Sequence, residues 1–341
     1  MTSNQETDSI RAAMARAFPD GENAAALFYQ MQEYHLGWRD EALQPSAADS
    51  GKLLRPRYCI LACEAVGGKA ATAEPLAAAI QLLHDFSLIH DDIQDHSPTR
   101  RGRPTVWNIW GVPHGINAGD GMYTIAQLSL LRLAEVGVAA DVVVEIARRF
   151  NQTVLRICEG QFLDMSFEER LDITEADYLA MISRKTAALI AAATGLGAIL
   201  GGASQAQAVA LYDFGEALGL AFQMEDDILG IWGEEAVTGK PDAHDIWGRK
   251  KSLPIIHALA HADAGDAAEL RRIYGQAELA HADVPAVLSI LERTGSRGYA
   301  AGVARFYHEA ALAALDGIEG GVDSALAEIR AITGKLLGRA K

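Results

Sequence analysis

The chain has 341 residues, half of them hydrophobic, with a formal charge of −15 and a pI near 5.1. No basic block or tail stands out, which argues against a nucleic-acid partner. A polyanionic small molecule stays open, since local Arg and Lys, or Mg²⁺ held on carboxylates, bind phosphate on an acidic protein.

The first residues lack a basic start followed by an apolar run, so no signal peptide is expected. Apolar spacing then predicts helices over residues 24–34, 56–66, 73–92, 116–134, 141–166, 175–194 and 206–231, with several shorter ones after Lys251. Cys59 and Cys63 stand four apart in an apolar run. With Cys158 they make an odd number and no CxxC pair, which reads as reduced core thiols in a cytoplasmic protein. Residues 44–51 and 97–104 read as loops. Residues 234–249, with Gly239, Pro241 and Gly248, form the most irregular stretch. Thr174 ahead of Glu175 and Asp177 is predicted to cap a helix. From Lys185 to Asp213 no charge intervenes, which is long enough to span a bilayer. That stretch is mostly Ala, Gly and Thr, so it reads as a pair of buried helices packed through small residues, and no transmembrane segment is expected. No repeat, linker or run of alternating β-branched residues appears, and one all-α domain over residues 1–341 accounts for the pattern.

Two acidic clusters end apolar helices. The first is Asp91-Asp92-Ile-Gln-Asp95, after LLHDFSLIH. Asp91 and Asp95, four apart on a helix, project from one face about 5–6 Å apart at Cβ. Like charges that close repel unless a cation sits between them, and an all-oxygen set suits Mg²⁺. The alternative is a solvated acidic helix end, although three aspartates oppose the dipole there. The second cluster runs Phe222-Gln223-Met224-Glu225-Asp226-Asp227, and a facing pair of such clusters would hold several Mg²⁺ around one diphosphate. Cations follow both: Arg100 and Arg101 after the first, and Lys240, Arg249, Lys250 and Lys251 after the second. Lys52 and Arg55 stand in a Gly-Lys-Leu-Leu-Arg-Pro segment, and Lys185 precedes Thr186. Each is a surface cation or a diphosphate ligand. His84 lies seven before Asp91 on the same helix face, so it is either a core histidine or part of the same cavity.

Together these segments resemble the trans-isoprenyl diphosphate synthases of the farnesyl and geranylgeranyl type. Asp91–Asp95 looks like the family's DDxxD, and Arg100–Thr105 like its RRGxPT. Gly119-Asp120 is similar to its GD helix start. Gly160, Gln161 and Asp164 resemble GQxxD, and Met181, Lys185 and Thr186 resemble MxxxKT. Phe222, Gln223, Asp226 and Asp227 resemble FQxxDDxxD, and Gly239-Lys240-Pro241, Asp245 and Lys250 the loop after it. The match runs in the family's order from about Gly51 to Pro254. Leu53 stands where the family has Arg, and Gly230 where it has Asp.

The resemblance implies a helical bundle around a deep cavity, isopentenyl diphosphate and an allylic prenyl diphosphate as substrates, and a homodimer. Asp91, Asp95 and Asp226 would bind Mg²⁺, three ions with substrate present, with Asp227 as a further candidate. Asp92 and Lys185 would join Asp91, Asp95 and Asp226 in catalysis. Arg100, Lys185, Gln223 and Lys240 would serve the allylic diphosphate, with Thr186 and Lys250 as further substrate-binding residues. Lys52, Arg55, His84 and Arg101 would hold isopentenyl diphosphate. Phe86 and Ser87 would set product length, with geranylgeranyl diphosphate expected ahead of farnesyl diphosphate. A class I terpene cyclase or a non-catalytic partner subunit are the alternatives, and the intact isopentenyl-side residues favour the synthase.

Overall fold

The computed structural model describes residues 3–19, 24–48, 51–233, 243–276 and 278–336. Among these residues sixteen α-helices form, with one short hairpin. They are α1 Ser3–Ala17, α2 Ala26–His35, α3 Leu54–Ala65, α4 Ala70–Gln94, α5 Val106–Trp110, α6 Val112–Leu131, α7 Ala140–Phe167, α8 Glu175–Ile182, α9 Ala188–Leu200 and α10 Gln205–Trp232. After these come α11 His244–Trp247, α12 Leu253–His261, α13 Ala264–Tyr274, α14 Asp283–Arg293, α15 Ser296–Asp316 and α16 Asp323–Leu336. The expected all-α class holds. Residues 97–104, expected as a loop, carry the antiparallel pair β1 Thr99–Arg100 and β2 Arg103–Pro104, with Arg100 opposite Arg103. Helix α1 was absent from the expected set. Its buried face is a narrow stripe of Ile10, Ala13, Met14 and Ala17, and two of those four are alanines.

The chain divides into two compact units. The first draws on Met1–Asn151, Ala193–Ala208 and Gly320–Leu326, the second on Gln152–Ala192, Val209–Glu319 and Ala327–Lys341. At the centre of the first unit is α4, packed against α1, α3 and α6. Its sequence is rich in Ala and Leu, strong helix formers, and Leu76, Ile80, Leu82 and Leu83 are fully buried. Each contributes about 2 kcal/mol of apolar transfer. This anchorage brings the polar end of α4, from His84 to Asp95, to a fixed place. Cys59 and Cys63 on α3 are free and buried, as expected, whereas Cys158 is exposed.

In the second unit Tyr178, Met181, Ile182, Met224, Ile228 and Leu253 share one apolar cluster. Helix α8 opens with the expected cap. Thr174 Oγ1 accepts from the Asp177 amide at 3.1 Å, and the Asp177 carboxylate accepts from the Thr174 amide at 3.0 Å. Such a capping box stabilises a helix by about 1 kcal/mol. The expected single helix over 175–194 is broken by a π-turn, Ser183–Ala187, and continues as α9 to Leu200. The run Glu175–Leu200 is long and apolar enough to cross a bilayer by length and composition, yet 67% of its apolar window is buried within the protein. Ala191, Ala193 and Ala198 are completely buried, which is the close packing of small residues expected here.

Candidate active site

In the first unit, successive residues of α4 turn about 100° apart, so the aspartate pair splits. Asp91 is half-buried and Asp95, at the C-cap, is exposed, whereas Asp92 is buried. Arg100 on β1 donates to Asp92 Oδ1 through Nε and Nη2, both at 2.8 Å. Burial pushes the Asp92 carboxyl up from the usual carboxylate range, and Arg100 opposes that push. Asp92, expected among the catalytic group, thus orients Arg100 through Oδ1, while its buried Oδ2 has no hydrogen-bond partner.

The expected isopentenyl-side residues gather around His84. Arg55 Nη1 lies 3.2 Å from His84 Nε2. A guanidinium can only donate, so Nε2 accepts and the ring proton is assigned to Nδ1. Burial, then the charges of Arg55, Arg101 and Arg100, hold the His84 pKa well below the ordinary histidine value. Arg101 has a left-handed φ of 53°, and its Nη2 lies against Gly51, 2.9 Å from where a β-carbon there would stand. Lys52, next along the chain, is exposed. Leu53, where the family carries Arg, also has a left-handed φ, 48°, and is buried at the start of α3. Two residues in sparsely populated backbone space thus stand beside one cation cluster, the kind of strain that collects at ligand-binding sites. Sequence reasoning missed the buried polar group next to it. Asp85 accepts from Gln81 Nε2 at 2.9 Å and lies 3.6 Å from His35 Nε2. Its signal was a carboxylate inside an apolar run.

The state of His84 predicts a pH effect. The unfolded chain protonates histidine near 6.5 while the folded chain resists, so the unfolded state binds more protons below that pH and stability falls as pH falls. At pH 5.5 the wild type should have lost about 1 kcal/mol more, relative to pH 7.5, than His84→Gln does. Urea unfolding of both proteins at the two pH values measures this, and parallel losses would remove the inference.

Phe86 stacks edge-on to His90 at 4.9 Å and tilts against Tyr123 at 5.4 Å, while Ser87 Oγ donates to the His84 carbonyl at 2.8 Å. Gly119-Asp120 does not begin a helix. It lies in the middle of α6, where Asp120 stands 3.7 Å from His90.

In the second unit the aspartate pair on α10 splits the same way. Asp226 is exposed and Asp227 is fully buried. Tyr178 donates to Asp227 Oδ2 at 2.7 Å, and Gln223 and Lys250 donate to Oδ1 at 3.0 and 2.7 Å. Burial and then Asp227 push the Tyr178 phenol well up. Burial alone would lower the Lys250 ammonium, but Asp227 and Asp245, the latter 3.7 Å away, hold it above the ordinary lysine range. Both oxygens of Asp227 are thus engaged, whereas Asp226 is exposed on the same turn of α10. Lys185 Nζ is 2.5 Å from Asp164 Oδ2, and Thr186 Oγ1 donates to Gln223 Oε1 at 2.7 Å. The expected Gly239, Lys240 and Pro241 lie outside the described residues.

The donors fit Mg²⁺. Asp91, Asp95 and Asp226 offer only oxygen. Among the described residues no three His, Cys, Asp or Glu side chains converge as a cage. Mg²⁺ is held by one or two carboxylates plus waters and substrate phosphates, rather than by an all-protein cage.

The family model described as polyprenyl synthetase matches residues 37–291. A short chain isoprenyl diphosphate synthase of Methanothermobacter thermautotrophicus is 44% identical over 74% of this chain and 76% of its own length. A geranylgeranyl diphosphate synthase of Mycobacterium tuberculosis is 40% identical over 84% of this chain and 80% of its own. The crystal structure of a geranylgeranyl pyrophosphate synthase from Corynebacterium glutamicum, complexed with isoprenyl diphosphate and magnesium, superposes with a TM-score of 0.81 at 26% identity. It covers 99% of this chain and 97% of that one.

Proposed function

The chain belongs to the polyprenyl synthetase family, and from that premise we propose that it is a short-chain trans-prenyltransferase joining isopentenyl diphosphate to an allylic diphosphate. The observation that carries the reading is the set of Arg55, Arg100 and Arg101 around a neutral His84, on the helix that ends in Asp91 and Asp95. A cation cluster next to the first acidic motif suits a second diphosphate, which a cyclase does not need.

Asp91, Asp95 and Asp226 would hold Mg²⁺, three ions with substrate present, which would supply charge stabilisation for a departing diphosphate. The residues of the chain supply the rest. Lys185, Thr186, Gln223 and Arg100 bind the allylic diphosphate, with Lys240 and Lys250 in support, and favour loss of its carbon–oxygen bond. Lys52, Arg55, His84 and Arg101 orient isopentenyl diphosphate, so that its double bond attacks the allylic cation. The adduct loses a proton to the released diphosphate and a new double bond forms. Apolar walls keep water from capturing the cation. One catalytic domain does this work, in the cytoplasm, where Cys59 and Cys63 stay reduced. We assign a homodimer as well, because α7 exposes Val144, Leu155 and Phe162 along one side, at 67%, 61% and 71%.

Purified protein given labelled isopentenyl diphosphate and one allylic primer tests the function. A lengthened prenyl diphosphate supports it. A cyclic hydrocarbon from the primer alone, or no product without a partner subunit, would replace it with the cyclase or the regulatory subunit. The expected product is geranylgeranyl diphosphate, with the Phe86–His90–Tyr123 cluster closing the cavity for the growing tail. Phe86→Ala should lengthen the product by at least one five-carbon unit on chromatography of the dephosphorylated alcohols. An active variant with an unchanged spectrum would refute that role.

A further inference from the structure

The π-turn Ser183–Ala187 carries Lys185 and Thr186, and a π-turn inside a helix is rare and concentrated at functional sites. It adds one residue to a turn, and nothing in the sequence of the turn itself fixes where the extra residue falls. Two neighbouring helices fix it. On α7, Arg156, Gly160 and Asp164 follow at intervals of four and share a face. On α10, Tyr212, Glu216, Gly219, Gln223 and Asp227 form a second stripe at intervals of four, three, four and four.

Between these stripes the turn is held at both ends. At its start, Ser183 Oγ donates to Glu216 Oε1 at 2.7 Å and accepts from Arg156 Nη2 at 3.1 Å. Arg156 Nη2 also reaches Glu216 Oε1 at 3.3 Å, and Nη1 donates to the Tyr212 hydroxyl. The ring is closed, with the Ser183 hydroxyl used once as donor and once as acceptor. The backbone of the turn is gripped too. A β-carbon on Gly160 would lie 2.2 Å from the Lys185 amide nitrogen, and one on Gly219 would lie 2.4 Å from Ala187 Cα. Further along, Lys185 meets Asp164 and Thr186 meets Gln223, each on the same two stripes.

We infer that Arg156, Ser183 and Glu216 are positioning residues: their clasp sets the register of the π-turn, and through it the aim of Lys185 and Thr186 at the allylic diphosphate. None of the three stands at a defined position of the motifs that the sequence displays. Ser183 is one of the unspecified residues of MxxxKT. Were the extra residue to slip by one place, each side chain of the turn would rotate by about 100°, and Lys185 would leave Asp164. The inference rests on the reading of Lys185 as an allylic-diphosphate ligand.

The test compares Ser183→Ala, Glu216→Ala and Arg156→Ala with the conservative Ser183→Thr and Glu216→Gln. In the alanine variants KM for the allylic primer should rise roughly tenfold to a hundredfold, the scale on which an ångström of misplacement acts, with KM for isopentenyl diphosphate within about twofold. Ser183→Thr, which keeps the hydroxyl, should recover most of the loss. Hydrogen exchange of amides 184–188 in Ser183→Ala should quicken while that of α4 stays unchanged, a readout independent of turnover. Should any alanine variant fail to fold, Ser183→Thr and Glu216→Gln carry the comparison. Unchanged exchange in the turn, or a lower melting temperature with both KM values at wild type, overturns the clasp. An inactive wild type with quickened exchange in Ser183→Ala overturns the prenyltransferase reading and leaves the clasp standing.

Discussion

Asp226→Ala should lower kcat by about a thousandfold or more at saturating Mg²⁺ while the melting temperature stays within a degree or two of wild type. Metal-assisted loss of a diphosphate draws several kcal/mol from the ion, and about 4 kcal/mol corresponds to three orders of magnitude. Stability should hold because Asp226 is exposed on α10, and removing a carboxylate from a strongly acidic neighbourhood relieves repulsion. Asp91→Ala should behave alike, since Asp91 is the first carboxylate of the other motif. Its neighbours give the contrast that makes the prediction sharp. Asp227→Ala would strand Lys250, Tyr178 and Gln223 without their common acceptor, so it should lower the melting temperature as well as the rate. Steady-state kinetics with an Mg²⁺ titration, beside thermal unfolding by circular dichroism, separate the two classes. Near-wild-type turnover in both Asp226→Ala and Asp91→Ala would defeat the metal assignment.

The difference between Asp226 and Asp227 shows how far the sequence could be read. The long helices were legible because their apolar residues recur at helical spacing, and α4, α7 and α10 end within three residues of their expected limits. The acidic motifs were legible as clusters. What each aspartate does was not, because that depends on what faces it. Asp92 is turned to Arg100 eight residues on, and Asp227 to Tyr178 forty-nine residues back. The π-turn had no local signature at all. Its register comes from Arg156 and Glu216, which are 27 and 33 residues from Ser183 in sequence. Such long-range polar partners are set by the packing of helices and leave no periodicity to detect. The same holds for Gly230. Its departure from the family pattern was visible, and the reason for it was not.

That reason gives the last prediction. Gly230→Asp, which restores the family's residue, should damage this protein. A β-carbon at position 230 would stand 2.3 Å from Asp245 Oδ2 and 2.4 Å from its Cγ, so the space is already filled by a carboxylate from the following segment. Asp245 is not free to withdraw cheaply. It lies 3.7 Å from Lys250, and its carbonyl accepts from the Lys250 amide at 2.9 Å. Lys250 in turn neutralises the fully buried Asp227. A new side chain must therefore displace Asp245 or bend α10, and it sets a third carboxylate on one ammonium. Overpacking costs about 1–3 kcal/mol, which for a chain of this length is a fall of about 1–4 °C in the melting temperature. The disturbed pairing of Lys250 should add a loss of roughly a hundredfold in kcat/KM for the allylic primer, the scale of a misplaced binding group. Gly230→Ala meets the same atoms without the added charge and should lose less. Combining Gly230→Asp with Asp245→Gly moves the carboxylate from one segment to the other instead of doubling it, so the double variant should regain most of the stability and much of the activity. If Gly230→Asp alone is as stable and as active as the wild type, Asp245 is not what keeps position 230 bare.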